Sequence, residues 1–401
     1  MGDAGAAQRR GQWLRPMRGR APDEEHRAST PLELLFDLCF VVAVSQAAAE
    51  LAHTLADGRT GPGVLGYAMV FFAIWWAWMN FTWFASAYDT DDVAYRVLTL
   101  LQMAGVLVLA AGVSDAFGDY DFRVVTAGYV VMRLAMVTQW LRAAAQDPRR
   151  RGADTRYAIG VAVVQAGWVL RLLLPHPYDY AGFGVLVVAE VCVPLWAESR
   201  REATPWHAGH IAERYGLFTI IVLGEVILAT TTGIHSALTE HGVSAELLLI
   251  AAGGLLLVFS LWWTYFSGAE PELPALRTAL SWGYGHYLVF ASGAALGAGL
   301  DVAVETAEHR DHLADTTAAF AVAVPVAVHL AVLALLHRLG RMRATAHLLV
   351  VTAGAVAVLV LASLAGQLGL DWAILGMGLA AAATVAGNVA LGHRPVAGRA
   401  G

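Results

Sequence analysis

The sequence predicts an all-α protein, a polytopic bundle of transmembrane helices with about twelve spans. Of its 401 residues, 58% are hydrophobic and only 14% are charged, and the mean hydropathy is +0.56. Soluble domains carry about 25% charged residues, so this composition indicates a membrane protein. The apolar residues also occur in runs of about 20, which is the length that a helix needs to cross a bilayer.

The predicted elements begin with residues 1–28, a polar, arginine-rich segment that we interpret as a disordered basic cytoplasmic tail. Twelve apolar spans follow, and residues 394–401 form a short C-terminal tail. The first six spans are predicted at 32–52, 64–87, 93–113, 122–142, 156–174 and 181–198. The second six are predicted at 209–232, 245–267, 277–300, 315–337, 345–366 and 371–392.

The arginines predict the orientation of these spans. They are concentrated at the N-terminus, at the C-terminus and in alternate loops, including 142–156, 200–201 and 338–343. The opposite loops and span ends hold only Arg59, Arg123, Arg171 and Arg310. Because basic residues are enriched in cytoplasmic loops, we expect both termini to be cytoplasmic.

A weak internal repeat suggests two six-helix halves, residues 29–200 and 201–393. Thr30-Pro31 begins the first span and Thr204-Pro205 precedes the seventh. The second and eighth spans carry the tryptophan pairs Trp75-Trp76 and Trp262-Trp263. Six spans per half would give parallel repeats, related by an axis along the membrane normal.

The first span opens with two carboxylates, Glu33 and Asp37, which share one helical face. Thr30 followed by Glu33 has the spacing of a capping box, in which each side chain bonds the other's backbone. Asp37 lies one turn deeper in an apolar segment, where an unpaired charge is costly. We therefore expect a partner for Asp37, with Arg96, Arg214 and His210 as the candidates.

Four ordered motifs identify a resemblance to a known family. They are TPLELLFDLCFVVAVSQ from residue 30, WWAWMNFTWFASAYDTDDVAYR from 75, HIAERYGLFTIIVLGEVIL from 210 and LWWTYFSG from 261. The chain resembles the bacterial low temperature requirement A (LtrA) family of integral membrane proteins over about residues 29–300. The resemblance implies a multi-pass protein of the bacterial plasma (inner) membrane. The family is named for a requirement for growth in the cold, so the resemblance implies no particular reaction.

Several polar residues converge on the predicted cytoplasmic ends of the spans. They are Asp89, Asp91, Asp92, Arg96, His210, Glu213 and Arg214. One interpretation is a set of ion pairs that hold helix ends together, for example Asp92 with Arg96 at i, i+4. The other is an entry site for a cation or a proton. His207, His210 and Glu213 could also line one helical face as metal ligands, although the spacing is weaker than H-E-x-x-H.

Three ionisable residues lie deeper in the predicted spans: Arg133, Glu190 and Glu225. Ionisable groups at this depth are functional candidates, usually with a partner or a water-filled cavity. One alternative is a buried pair of Arg133 with a glutamate that fixes helix register. The other, which we favour, is a polar path through the bundle.

We therefore expect a proton- or ion-coupled transporter or channel. The coupling residues would be Asp37, Glu225, Arg133, Glu33 and Glu190, with the residues at the span ends gating the cytoplasmic side. The expected partners are membrane lipids and an unidentified small solute or ion, with no nucleic acid, metal or cofactor. Two alternatives stay open, a membrane-embedded metal-dependent enzyme acting on lipid and a non-catalytic lipid-interacting protein for adaptation to cold or stress. The enzyme is disfavoured because the sequence has no strong metal signature and no nucleophile–base pair.

Overall fold

The computed structural model of the chain describes most of its residues. The described residues are 13–21, 24, 28–118, 120–199, 203–242, 244–267, 273, 275–308, 313–339 and 345–392. The predicted C-terminal tail, 394–401, lies outside them.

Over these described ranges the fold is entirely helical, with twelve long helices and two short ones, which confirms the predicted all-α class. In chain order the first seven are α1 (Pro31–Ala56), α2 (Thr60–Ala87), α3 (Val93–Ala111), α4 (Val113–Gly118), α5 (Arg123–Gln146), α6 (Arg151–Arg171) and α7 (Tyr178–Ala197). The others are α8 (Ala208–His241), α9 (Ala245–Phe266), α10 (Leu276–Glu308), α11 (Asp315–Leu339), α12 (Thr345–Ser363), α13 (Ala365–Leu368) and α14 (Leu370–Gly392).

A long helix lies at each of the twelve predicted positions, and eleven of them, within the described residues, are long and apolar enough to cross a membrane. The exception is α6, at the predicted span 156–174. It is less apolar because Arg151, Asp154, Arg156 and Arg171 interrupt it. The sequence thus predicted every long helix, and the structure supports eleven membrane spans by length and composition.

The helices pack into two compact units. Among the described residues, the first unit contains those within 1–46 and 69–214, and the second contains those within 47–68 and 215–401. This division differs from the predicted halves, 29–200 and 201–393, because α1, α2 and α8 each contribute residues to both units. The two tryptophan pairs also differ, since Trp75-Trp76 is buried whereas Trp262 and Trp263 are 45% and 51% exposed. These environments give no support to a six-helix parallel repeat.

Within the first unit, α3 packs along α5, α5 along α6, and α6 along α7. The contact between α3 and α5 is close because it passes through two glycines. A Cβ atom on Gly128 would lie 2.5 Å from the carbonyl oxygen of Gly105, and one on Gly105 would lie 2.8 Å from that of Gly128. Small residues allow helix backbones to approach in this way inside a membrane.

Within the second unit, α10 packs along α11 and α9 along α14, while α12 contacts both α11 and α14. The first turns of α2 also belong to this unit. Tyr67 donates a hydrogen bond to the carbonyl of Ala291 at 2.7 Å, and Tyr287 donates to the carbonyl of Ala68 at 2.8 Å. These reciprocal bonds join α2 to α10.

Part of the predicted disordered tail is ordered, because residues 14–21 form a strap on the helix ends of the first unit. Three backbone amides two residues apart donate to side chains there, and the pairs are Arg15 to Asp92 (2.7 Å), Met17 to Gln146 (2.7 Å) and Gly19 to Asp147 (3.2 Å). Amides with this spacing lie on one side of an extended chain. Met17 is fully buried, so this polar segment also inserts one apolar side chain. Residues 1–12 of the predicted tail lie outside the described residues.

Candidate functional site

The predicted capping box at the start of α1 is present. The backbone amide and the hydroxyl of Thr30 donate to Oε2 of Glu33 at 2.8 and 3.0 Å. In return, the amide of Glu33 donates to the Thr30 hydroxyl at 3.3 Å. The cap uses one carboxylate oxygen of Glu33 and leaves Oε1 for other partners.

Asp37 is completely buried and binds Arg214 of α8, one of the candidates predicted from the sequence. Arg214 Nη2 lies 2.5 Å from Asp37 Oδ1, and Nε lies 3.2 Å from Oδ2, so the guanidinium contacts both carboxylate oxygens. The indole N–H of Trp78 donates to Oδ1 at 2.6 Å. Arginine and carboxylate form strong paired bonds in this geometry.

Arg214 also joins the two carboxylates of α1. Its Nη1 donates to Oε1 of Glu33 at 2.9 Å, while its other nitrogens bind Asp37. His210, one turn earlier on α8, places Nε2 at 3.2 Å from the same Glu33 oxygen. The side chains of these four residues are at most 2% exposed. We refer to Glu33, Asp37, His210 and Arg214 as the α1–α8 cluster.

His207 lies beside this cluster at the end of the membrane-spanning region. Its Nδ1 accepts the backbone N–H of His210 at 3.0 Å, and its Nε2 lies 2.9 Å from the carbonyl oxygen of Glu24. A carbonyl only accepts, so His207 is protonated on Nε2. Both ring nitrogens are therefore engaged, and Glu213 is exposed and accepts from the amide of Ser29. These separate partners do not support the proposed metal site.

A second buried cluster contains Glu190 of α7 and Arg133 of α5. Arg133 Nη2 donates to Glu190 Oε1 at 2.9 Å. Two tryptophans also donate hydrogen bonds to the Glu190 carboxylate, Trp76 to Oε2 at 2.7 Å and Trp168 to Oε1 at 3.1 Å. Arg133 thus binds a buried glutamate, as one of the two alternatives required. We refer to Glu190, Arg133, Trp76 and Trp168 as the α5–α7 cluster.

The guanidinium of Arg133 has two further partners in the same unit. Its Nη2 lies 2.5 Å from the hydroxyl of Tyr129, one turn earlier on α5, and its Nη1 donates to the Asn80 side chain at 3.2 Å. Asn80 is itself oriented by a 2.7 Å bond from its amide to the carbonyl of Trp76. The polar groups of α2 thus complete the α5–α7 cluster.

Helix α2 lies between the two clusters and contacts both. Trp76 donates to Glu190 and Trp78 donates to Asp37. Residues two positions apart in an α-helix, such as Trp76 and Trp78, are separated by about 200° around the helix axis. The two indoles therefore project from opposite faces of α2. The sequence analysis used Trp76 only as part of a possible internal repeat and missed the hydrogen bonds of both tryptophans to the carboxylates. A signal in the sequence that could have indicated these bonds is the tryptophan-rich segment 75–83, because indole N–H groups can donate to carboxylates in apolar spans, such as those of Asp37 and Glu190.

The remaining residues at the span ends have other partners. Arg96 pairs with Asp91 at 2.7 Å, and the side chains of both are about half exposed. The predicted Asp92–Arg96 pair is therefore wrong, and Arg96 is not the partner of Asp37. Asp89 binds Arg20 of the strap at 3.2 Å.

Asp92 instead holds three elements of the first unit together. Its side chain caps α3 by accepting the amide of Tyr95 at 2.9 Å, and it also binds Arg142 of α5 and the strap amide of Arg15. Partial burial raises the pKa of Asp92, but the bonds from Arg142 and from the two amides outweigh it, so the net pKa is lowered. Asp92 therefore stays ionised and serves as a structural anchor.

Glu225 joins neither cluster. It belongs to the second unit, is half-buried on α8, and lies close enough to Asp301 of α10 for their charges to interact, together with His53. The predicted network of Asp37, Glu225 and Arg133 thus corresponds to three separate sets of residues. Asp301, whose Oδ1 is buried without a hydrogen-bond partner in the described structure, was not among the predicted site residues.

Asp154 is a further buried carboxyl group that the sequence prediction missed. It lies in the first turn of α6, before the predicted span, and accepts the hydroxyl of Tyr88 at 3.0 and 3.2 Å. Burial raises its pKa to about 7, and the nearby charges of Asp147 and Glu198 act in the same direction. The folded protein therefore holds this proton at a pH where the unfolded chain has released it.

Stability should fall as the pH rises from about 4 to about 7, because the unfolded carboxyl ionises first. We expect Asp154→Asn, which keeps an acceptor for Tyr88, to remove this contribution. The variant should unfold like the wild type at about pH 4 and be more stable at about pH 8, by up to about 4 kcal/mol. Thermal unfolding of the purified protein at the two pH values measures the difference. The same difference at both values would show that Asp154 does not titrate in this way.

The long apolar helices and the two buried charged clusters define a polytopic membrane protein. The chain belongs to the bacterial low temperature requirement A (LtrA) protein family, whose family model matches residues 28–386. It is 29% identical over 267 residues to the uncharacterized protein RA0937 of Rhizobium meliloti (strain 1021). That match covers 64% of this chain and 62% of the relative.

Proposed function

We propose that this protein is a proton-coupled transporter of the bacterial inner membrane and that the α1–α8 cluster binds the coupling proton. The observation that supports the proposal is the charge of that cluster. Two carboxylates, Glu33 and Asp37, share one guanidinium, that of Arg214. With His210 neutral, the cluster would carry one uncompensated negative charge.

An uncompensated charge is expensive in a buried site, because neither water nor a counter-ion stabilises it. The side chains of the cluster are at most 2% exposed, so solvent offers little relief. One additional proton would neutralise the cluster. His210 and Glu33 provide the place for it, since Nε2 and Oε1 lie 3.2 Å apart.

The α5–α7 cluster provides the contrast. Glu190 and Arg133 carry opposite charges and neutralise each other without a further proton. Both oxygens of Glu190 also accept indole N–H groups, so ionisation is stabilised from three directions. We assign this cluster the role of fixing α2, α5, α6 and α7 in register.

His207 gives the proposed site a connection to the helix ends. It is half-buried and bonds both the carbonyl of Glu24 and the amide of His210. A proton reaching the α1–α8 cluster from this side would pass this histidine. Transport then requires that protonation change the contacts that Arg214 makes with α1 and thereby bias one conformation over another.

Proton binding can be tested without knowing the solute. Asp154 is itself a buried carboxyl group with a pKa of about 7, so the test uses Asp154→Asn as the background for every protein. Infrared difference spectra between two pH values, recorded on this purified protein in lipid nanodiscs, should show protonation of a buried histidine or carboxyl group. Glu33→Gln removes one negative charge and should abolish this signal, because the remaining Asp37–Arg214 pair is neutral. Asp91→Asn, at an exposed carboxylate, is the matched control and should leave the signal intact. A signal that survives Glu33→Gln, His210→Gln and Asp37→Asn would exclude the cluster as the proton site.

The same charge argument predicts the phenotype of Asp37→Asn. Asparagine keeps an oxygen for Trp78 and Arg214, so the protein should remain folded and inserted. Where the host requires the protein for growth in the cold, the variant should fail to support that growth at matched expression. Full complementation by Asp37→Asn would leave Asp37 a structural residue.

A further inference from the structure

The second unit contains an apolar pocket of about 360 Å³ that shares no residue with either charged cluster. It is lined by the end of α1, the first turns of α2, the middle of α10 and the first half of α11. On α11 the lining runs from Thr317 to Val328, which corresponds to a depth of about 16 Å at 1.5 Å per residue. The hydrocarbon core of a bilayer is about 30 Å thick, so the pocket is about as deep as one leaflet.

Three of the five hydroxyl groups along the pocket, those of Tyr67, Tyr287 and Ser292, are bonded to the protein. The hydroxyls of Tyr67 and Tyr287 donate to the carbonyls of Ala291 and Ala68. The hydroxyl of Ser292 donates to the carbonyl of Leu288, one turn earlier on α10. Apart from Thr60 and Thr317, the remaining lining side chains are apolar, so most of the surface suits hydrocarbon.

Pro325 interrupts the backbone hydrogen bonding of α11, because a proline has no N–H to donate to the carbonyl four residues earlier. That carbonyl belongs to Ala321, which lines the pocket. Its oxygen instead abuts α10, since a Cβ atom added at Gly299 would clash with it. The close helix contact thus covers the acceptor that the proline creates.

The pocket opens sideways rather than into a closed interior. Three of its lining side chains, Leu288, Phe320 and Val324, are 44%, 38% and 47% exposed. They lie on α10 and α11, both of which are long and apolar enough to span the membrane. A lateral opening between two such helices faces lipid, so the molecule that reaches the pocket most readily is a lipid of the surrounding bilayer.

We propose that this pocket holds one acyl chain of a membrane phospholipid. The occupant follows from the lateral opening, the predominantly apolar lining and the depth of one leaflet. The lipid would contact α1, α2, α10 and α11 together and stabilise their packing. The proposal is independent of the proton site in the first unit.

A photoreactive phospholipid tests the proposal. The protein is reconstituted into vesicles of phosphatidylethanolamine and phosphatidylglycerol, with a trace of phosphatidylglycerol that carries a diazirine near the end of one acyl chain. After irradiation, mass spectrometry of the peptides should locate adducts on the deep pocket residues Tyr287 and Val328. Adducts confined to outward-facing residues such as Val356 and Leu379 would overturn the proposal.

Variants that fill the pocket make the test specific. Ala295→Phe fills the pocket from its buried side. Val324→Trp fills it from the exposed side, where a larger ring is better tolerated, and it replaces the first variant if that variant does not fold. Each should lose the pocket adducts and keep those at Val356. Val356→Phe, at a position 54% exposed on α12, is the control and should keep the pocket adducts. Pocket adducts that persist in a folded filling variant would show that the lipid binds elsewhere.

Discussion

Arg214→Met should destabilise the protein by about 3–5 kcal/mol, the cost of removing one partner from a buried ion pair. Methionine has a similar length and no charge, so the change removes the guanidinium with little loss of volume. Glu33 and Asp37 would then lie buried without a cation, and Asp37 would keep only the indole N–H of Trp78. The unfolding free energy, measured by denaturant titration in detergent micelles, gives the size of the effect.

Arg96→Met is the matched control, since Arg96 also belongs to an ion pair at a helix end. Its side chain is 60% exposed and that of its partner Asp91 is 48% exposed. Exposed pairs contribute about 0–1 kcal/mol, so the control should change stability little. If the two variants lost the same stability, the burial of the α1–α8 cluster would have no energetic consequence.

Arg133→Met should also cost about 3–5 kcal/mol, and a second substitution should recover most of the loss. The single variant leaves the Glu190 carboxylate buried without its counter-charge. The double variant Arg133→Met/Glu190→Gln removes that charge and keeps one side-chain oxygen for Trp76 or Trp168. The four proteins form a double-mutant cycle, and their unfolding free energies give the coupling between the two residues.

A double variant as unstable as Arg133→Met alone would contradict this account. It would mean that the guanidinium is required for its bonds to Tyr129 and Asn80 rather than for its charge. Tyr129→Phe separates the two explanations, because it removes one of those bonds and keeps the ion pair.

The sequence predicted the helices well because length and apolar character determine a membrane span almost locally. Each long helix falls at a predicted position, and the Thr30–Glu33 capping box could be read from spacing alone. The need for a cation at Asp37 was also predictable, since an isolated carboxylate in hydrocarbon is costly. Arg214 was one of two candidate arginines, and only the folded chain distinguishes it from Arg96.

The bonds that complete the clusters could not be predicted, because they join residues far apart in the chain. Trp78 and Asp37 are 41 residues apart, and Trp76 and Glu190 are 114 apart. An indole N–H reaches a carboxylate only when the register between two helices is fixed, and a single sequence does not encode that register in any local pattern. For the same reason, Glu225 was grouped with residues to which it does not bind.

The strap was mispredicted for a different reason. Residues 14–21 include three arginines, a proline and a glycine and lack the apolar run of a span, a composition that usually indicates disorder. Their order comes from backbone amides that bind side chains on helix ends, such as Asp92 and Asp147. Backbone groups have the same chemistry in every sequence, so composition gives no sign of them.

The two indoles on opposite faces of α2 restrict how this helix can move. A turn of α2 about its own axis would withdraw Trp76 from Glu190 and Trp78 from Asp37 in the same step. The helix therefore has one angular setting that satisfies both carboxylates. In the proposed transport cycle, α2 would either keep that angle and translate together with its neighbours, or break the two indole bonds in one step.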